Sequence, residues 1–114
     1  MAEFLFVYGT LKKDEGNHHV LGENPKFICE GIVKGHAIHE GPGFPYAVIN
    51  SDYQVKGELY EIENLKYTDQ LEGYPHHYDR HLVRVDVGEY YAYDAWMYIS
   101  RRIHNTPIIT TGEW

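Results

Sequence analysis

The chain has 114 residues, the length of one domain. Hydrophobic residues make up 43% and charged residues 24%, an ordinary globular composition and not a disordered one. Ten Lys and Arg stand against 17 Asp and Glu, a net charge of −7, which argues against a phosphate-tracking nucleic-acid binder and against an anionic membrane surface as partner.

The amino-terminal stretch Met1–Tyr8 carries an acid where a secretion signal carries bases, and its apolar run is short. With no run near the ~20 apolar residues of a membrane span, the expected location is the cytoplasm. Phe4–Tyr8 is a short continuous apolar run ending at Gly9, the pattern of a strand buried on both faces. The turn Tyr8-Gly9-Thr10-Leu11 follows. Gly9 permits a positive φ or a close backbone approach, and successive N–H groups in such a turn can cradle an anion. The glycine spacing is not that of a nucleotide site, so a carboxylate or a developing oxyanion fits better than a phosphate.

A short helix is predicted over Asn17–Leu21, with Asn17 as its cap and Gly22 as its stop. Lys26–His39 holds two strand-like stretches around Gly31 and Gly35. Cys29, the single cysteine, reads as a small buried hydrophobe. After the turn Glu40–Gly43 come two further short runs, Phe44–Ile49 and Tyr53–Ile62, separated by Asn50-Ser51-Asp52.

Asn64 opens the strongest helix, Leu65–Glu72, closed by Gly73 with Pro75 beyond. At ~100° per residue, Glu72 falls about 40° from Thr68, the centre of the face that should pack. A carboxylate there, in the last turn of a helix, is pushed up by partial burial and by the helix dipole. A raised carboxylate suits a general base working near neutrality. Glutamate is also an ordinary helix former, so the wheel alone favours a structural role. Asp69 lies nearer the polar edge and reads as solvated. Tyr78–Val87 and Tyr90–Ile99 alternate as a hairpin around Gly88-Glu89, and the last fifteen residues show no period. The sum is an α+β domain over residues 1–114 with about six strands, one clear helix and one doubtful one. The pairs His18-His19 and His76-His77, and His36 with His39, match no zinc spacing and read as solvated or core-edge residues.

Val7-Tyr8-Gly9-Thr10-Leu11-Lys12-Lys13, with Asn17-His18 and Val20-Leu21 behind it, resembles the amino terminus of the γ-glutamylcyclotransferase-like superfamily. The likeness is nearest to the γ-glutamylamine cyclotransferase branch and its short prokaryotic relatives. It continues through Gly43-Phe44-Pro45, Val55–Ile62, Asp69-Gln70-Leu71-Glu72-Gly73, Tyr78-Asp79-Arg80, Ala95-Trp96-Met97-Tyr98 and Gly112-Glu113-Trp114. Two departures stand out: Thr68 where the family often has Leu, and Gly73-Tyr74-Pro75-His76-His77 in a segment that varies.

The resemblance implies a small mixed six-stranded barrel with flanking short helices. It implies a small-molecule γ-glutamyl substrate whose α-amine attacks its own γ-carbonyl, giving 5-oxoproline and a free amine. It places the catalytic glutamate at Glu72 and the substrate-binding loop at Tyr8, Gly9, Thr10 and Leu11, with no metal, nucleotide or other cofactor. Tyr78 and Tyr98 are further candidates as pocket-lining hydrogen-bond donors, and Arg80 is expected in a structural salt bridge. The alternative is a binding module that holds a γ-glutamyl-like molecule without turning it over. Intact Glu72 and an intact Tyr8–Leu11 loop favour the enzyme.

Overall fold

The computed structural model describes residues 2–102 and 104–114; Met1, in the amino-terminal run, and Ile103, in the aperiodic tail, lie outside the described residues. Five strands, β1 (Glu3–Val7), β2 (Lys26–His39), β3 (Tyr46–Ile62), β4 (Tyr78–Asp86) and β5 (Ala92–Ser100), close into a barrel in the order β1-β3-β2-β4-β5. Neighbours run antiparallel except at the closing seam, where β1 lies parallel to β5 and Leu5 pairs with Trp96. One α-helix, α1 (Lys66–Glu72), and a 3₁₀ turn at His18–Leu21 lie outside the barrel. No helix among the described residues is long and apolar enough to cross a membrane.

Five strands replace the expected six because β2 and β3 run on through the places where their patterns break. Lys34 pairs with Gln54 and His36 with Ile49, so Asn50–Tyr53 bulge opposite the single residue Gly35. The Asp52 N–H donates to the Asn50 carboxamide oxygen inside this bulge, 3.1 Å away. The side chains change faces there, which ends a period-2 pattern, while the ladder continues.

β1 explains its own continuous run by facing two cores. Phe6 packs inside the barrel with Val33, Val55, Leu59, Val85 and Met97. Leu5 and Val7 face outward onto a second cluster with Leu11, Leu21, Ile62 and Leu65, under α1 and the 3₁₀ turn. Cys29 is half-buried, not buried as expected, and packs at the margin of the inner core; burial pushes its thiol up.

The 3₁₀ turn replaces the short helix predicted over Asn17–Leu21, and Gly22 does stop it. Asn17 stands before its first residue but makes no cap; its side-chain N–H donates to Thr10 Oγ1 at 2.9 Å instead. In α1, Leu65 takes the cap position and the Asn64 carboxamide oxygen accepts the Lys66 N–H at 2.9 Å. Gly73 ends the helix with φ 63°, its N–H directed to the carbonyls of Asp69 and Gln70. The β4–β5 hairpin is shorter than its alternation suggested, leaving Tyr90 and Tyr91 exposed at the tip.

Candidate active site

β1, α1, β4 and β5 converge on a cavity of about 370 Å³, at the low end of small-molecule sites. Gly9, Thr10 and Leu11 line one side, and Glu72 and Tyr78 also line it. The loop lies close against a neighbour: a β-carbon on Gly9 would meet the ring of Pro45, another lining residue. Close approach, not a positive φ, is what the glycine provides, since Gly9 is absent from the positive-φ residues. Among the described residues, the backbone N–H groups of Gly9, Thr10 and Leu11 donate to no protein acceptor, although Gly9 and Leu11 are buried. Backbone donors at such depth are normally paired, so three in succession beside a cavity leave hydrogen-bonding capacity that an anion could satisfy.

Glu72 ends α1, half-buried, and its carboxylate accepts no hydrogen bond from a described residue. Burial pushes its carboxyl up to about 7. Desolvation is the cause that raises it. Tyr78, at the start of β4, keeps its hydroxyl free of any described partner. Burial and the nearby Glu72 charge both push its phenol well above the ordinary range.

The other two tyrosines line the cavity with their hydroxyls already committed. The Tyr8 side chain turns into the barrel core and donates to the Tyr98 carbonyl oxygen at 2.7 Å. The Tyr98 hydroxyl lies 2.7 Å from Asp69 Oδ1, so it is engaged with α1. Asp69 is not solvated as the wheel suggested: Arg80 grips its carboxylate with Nε at 2.9 Å and Nη2 at 3.3 Å. Helical geometry places Asp69 toward an edge, but a strand eleven residues on supplies its partner. Arg80 thus sits in the salt bridge expected of it.

Phe44, Pro45, Gln70, Leu71 and His77 also line the cavity; sequence reasoning named them only within longer segments and gave none of them a role as a site residue of its own. Gly43-Phe44-Pro45 carried a signal only as part of the resemblance. No Lys or Arg lies among the described lining residues. Among the described residues no group of three or more His, Cys, Asp and Glu is placed to hold a metal ion.

The sequence profile of the family described as gamma-glutamyl cyclotransferase, AIG2-like, matches residues 5–114. The chain belongs to this family. A Methanocaldococcus jannaschii protein provisionally named a γ-glutamylcyclotransferase is 36% identical over 99 residues, covering 84% of this chain and 82% of its own. The γ-L-glutamyl-butirosin B γ-glutamyl cyclotransferase of Niallia circulans is 38% identical over 72 residues, 61% of this chain and 46% of that enzyme. In fold, the chain is similar to a mouse AIG2-like protein, with a TM-score of 0.82 at 23% identity, covering 99% of this chain and 88% of the mouse chain. The AIG2-like barrel therefore carries the cavity, and α1 brings Glu72 to its edge.

Proposed function

We propose that the chain is a γ-glutamylcyclotransferase acting on γ-glutamyl amines, with Glu72 as the catalytic residue and the Gly9–Leu11 N–H groups as the substrate's anion receptor. One observation carries this reading. A half-buried carboxyl raised to about 7 shares a cavity with three backbone donors, and neither it nor they have a partner among the described residues.

The reaction needs a folded-back substrate with its α-amine about 3–3.5 Å from its γ-carbonyl carbon. The loop donors hold the α-carboxylate or the oxyanion, and for an oxyanion each is worth about 2.7–4 kcal/mol in the transition state. The neutral amine attacks, a C–N bond forms, and the carbonyl becomes an oxyanion. Glu72 takes the proton from the attacking nitrogen and passes it to the departing nitrogen as the old C–N bond breaks. The products are 5-oxoproline and a free amine, and the carboxylate is regenerated. Without that proton the nitrogen would leave as an amide anion, a far less stable leaving group. The free Tyr78 hydroxyl is a donor beside the same transfer.

The cavity wall supports an amine as leaving group. Phe44 and Leu71 present exposed apolar surface there, and among the described lining residues there is no Lys or Arg to pair with a second carboxylate. The Niallia circulans relative is named for a γ-glutamyl group on butirosin B, which keeps a larger leaving group within the family's range.

A panel of γ-glutamyl amines, γ-glutamyl-ε-lysine and γ-glutamyl amino acids, assayed for 5-oxoproline, tests the reading. The amines should turn over fastest. Tight binding of any of them with no 5-oxoproline would assign the chain as a binding module.

A further inference from the structure

Tyr98 joins the two halves of the site. Its carbonyl oxygen accepts the Tyr8 hydroxyl at 2.7 Å, at the head of the loop. Its own hydroxyl lies 2.7 Å from Oδ1 of Asp69, one turn before Glu72 on α1. A phenol has a single hydrogen, and the carboxylate is the stronger acceptor for it. Thr68 Oγ1 lies 2.7 Å from the same hydroxyl and can donate its own hydrogen to the Tyr98 oxygen, with the Leu65 carbonyl as a second acceptor at 3.1 Å.

The same carboxylate holds Arg80, and Arg80 faces Tyr98 across the β4–β5 ladder. The guanidinium is packed between two rings, with Cζ 4.5 Å from the centroids of both Tyr74 and Trp96. Trp96 is fixed in turn by its indole N–H, which donates to Glu3 at 3.1 Å. Asp69 therefore receives two adjacent strands at once, one as a fork and one as a phenol.

The helix needs such a tether. It has seven residues, two turns, too few to hold a helical direction alone. Thr68 is its one buried residue, while Tyr67 and Leu71 are exposed. A half-buried ion pair contributes little net stability but is strict about geometry. We propose that Asp69, Arg80 and Tyr98 form a positioning clamp that fixes the Glu72 carboxyl relative to the Gly9–Leu11 loop. These residues act on the reaction through Glu72.

Arg80→Lys tests the clamp without changing charge, since an ammonium cannot reproduce the fork or the stacking. Tyr98→Phe is the milder second variant; it keeps the carbonyl that Tyr8 needs and removes only the hydroxyl. The first readout is a carbon-13 carboxyl titration of Glu72, which needs no substrate. The titratable groups near enough to feel the Glu72 charge are Tyr8 from the loop and Tyr78 at the start of β4; His77 lines the same cavity, and Asp69 stands one turn back on α1; both variants leave all four in place. In both, the Glu72 midpoint should fall by about one unit or more from its value near 7, as water reaches a loosened helix end.

The second readout rests on the cyclotransferase reading. There kcat should fall about 10- to 100-fold while KM moves less than about threefold. A residue that merely supports the fold would lower the melting temperature and leave the midpoint and kcat of the folded protein unchanged; that result overturns the clamp. If the unsubstituted protein releases no 5-oxoproline, the cyclotransferase reading falls and the titration still decides the clamp.

Discussion

Pro45 occupies the space that a side chain on Gly9 would need: a β-carbon there would lie 2.9 Å from Cδ and 3.1 Å from Cγ of the proline ring. Pro45 is itself buried, so neither partner moves freely. Gly9→Ala should push the loop away from the ring and misalign its donors. We expect kcat/KM to fall about 10- to 100-fold. Overpacking should cost roughly 1–3 kcal/mol of stability. Steady-state kinetics and denaturant titration measure the two effects.

Glu72→Gln removes the proposed proton carrier while keeping the shape. 5-Oxoproline release should fall by about 10²- to 10⁴-fold with the circular dichroism spectrum unchanged. To act as the proposed base, Glu72 must be a carboxylate, and its carboxyl is held up to about 7. The rate should therefore be suppressed at pH 5–6 and rise as the pH passes through about 7. A profile already flat at pH 5 would remove Glu72 from the role.

The same substitution should stabilise the fold at alkaline pH. A carboxyl raised from 4.5 to about 7 binds its proton more tightly in the folded chain than in the unfolded one. That contribution is complete below pH 4.5 and is lost as the pH climbs through about 7. Above it, the folded protein holds a desolvated charge. Glu72→Gln should thus gain about 1–2 kcal/mol at pH 8, allowing for the water that still reaches the group, and close to nothing at pH 4. Denaturant midpoints at the two pH values give the comparison.

Tyr78→Phe and Tyr8→Phe should separate chemistry from support. The Tyr78 hydroxyl has no partner among the described residues, so its removal should change stability by less than about 0.5 kcal/mol while lowering kcat. The Tyr8 hydroxyl is buried and donates to Tyr98. Its removal leaves that carbonyl short of a donor and should cost about 1–3 kcal/mol. Thermal melts alongside kinetics distinguish the two.

What the sequence made legible follows from distance along the chain. The doubly buried β1, the Gly73 stop and the inward lean of Glu72 are local properties, written in runs and a wheel a few residues long. The strand count was not legible, because the bulge opposite Gly35 breaks a side-chain pattern without breaking the ladder. Asp69 read as solvated because Arg80 and Tyr98, which hold it, arrive from two other strands. A turn with donors to spare could be suspected from Gly9, but its cavity and the Pro45 contact exist only after β1 and the β2–β3 hairpin have been brought together. Tyr98, a candidate pocket-lining donor, does line the cavity, and its hydroxyl is also engaged by Asp69, a contact no local pattern announces.

The cavity gathers at the end of the barrel where β1 and β5 finish and β4 begins. The ladder from Tyr78–Ser100 to Asp86–Ala92 then carries the β4–β5 turn to the opposite end. The tip with exposed Tyr90 and Tyr91 is thus a natural attachment point. A fluorophore or surface linker placed there would report on or immobilise the protein while leaving the mouth of the pocket open.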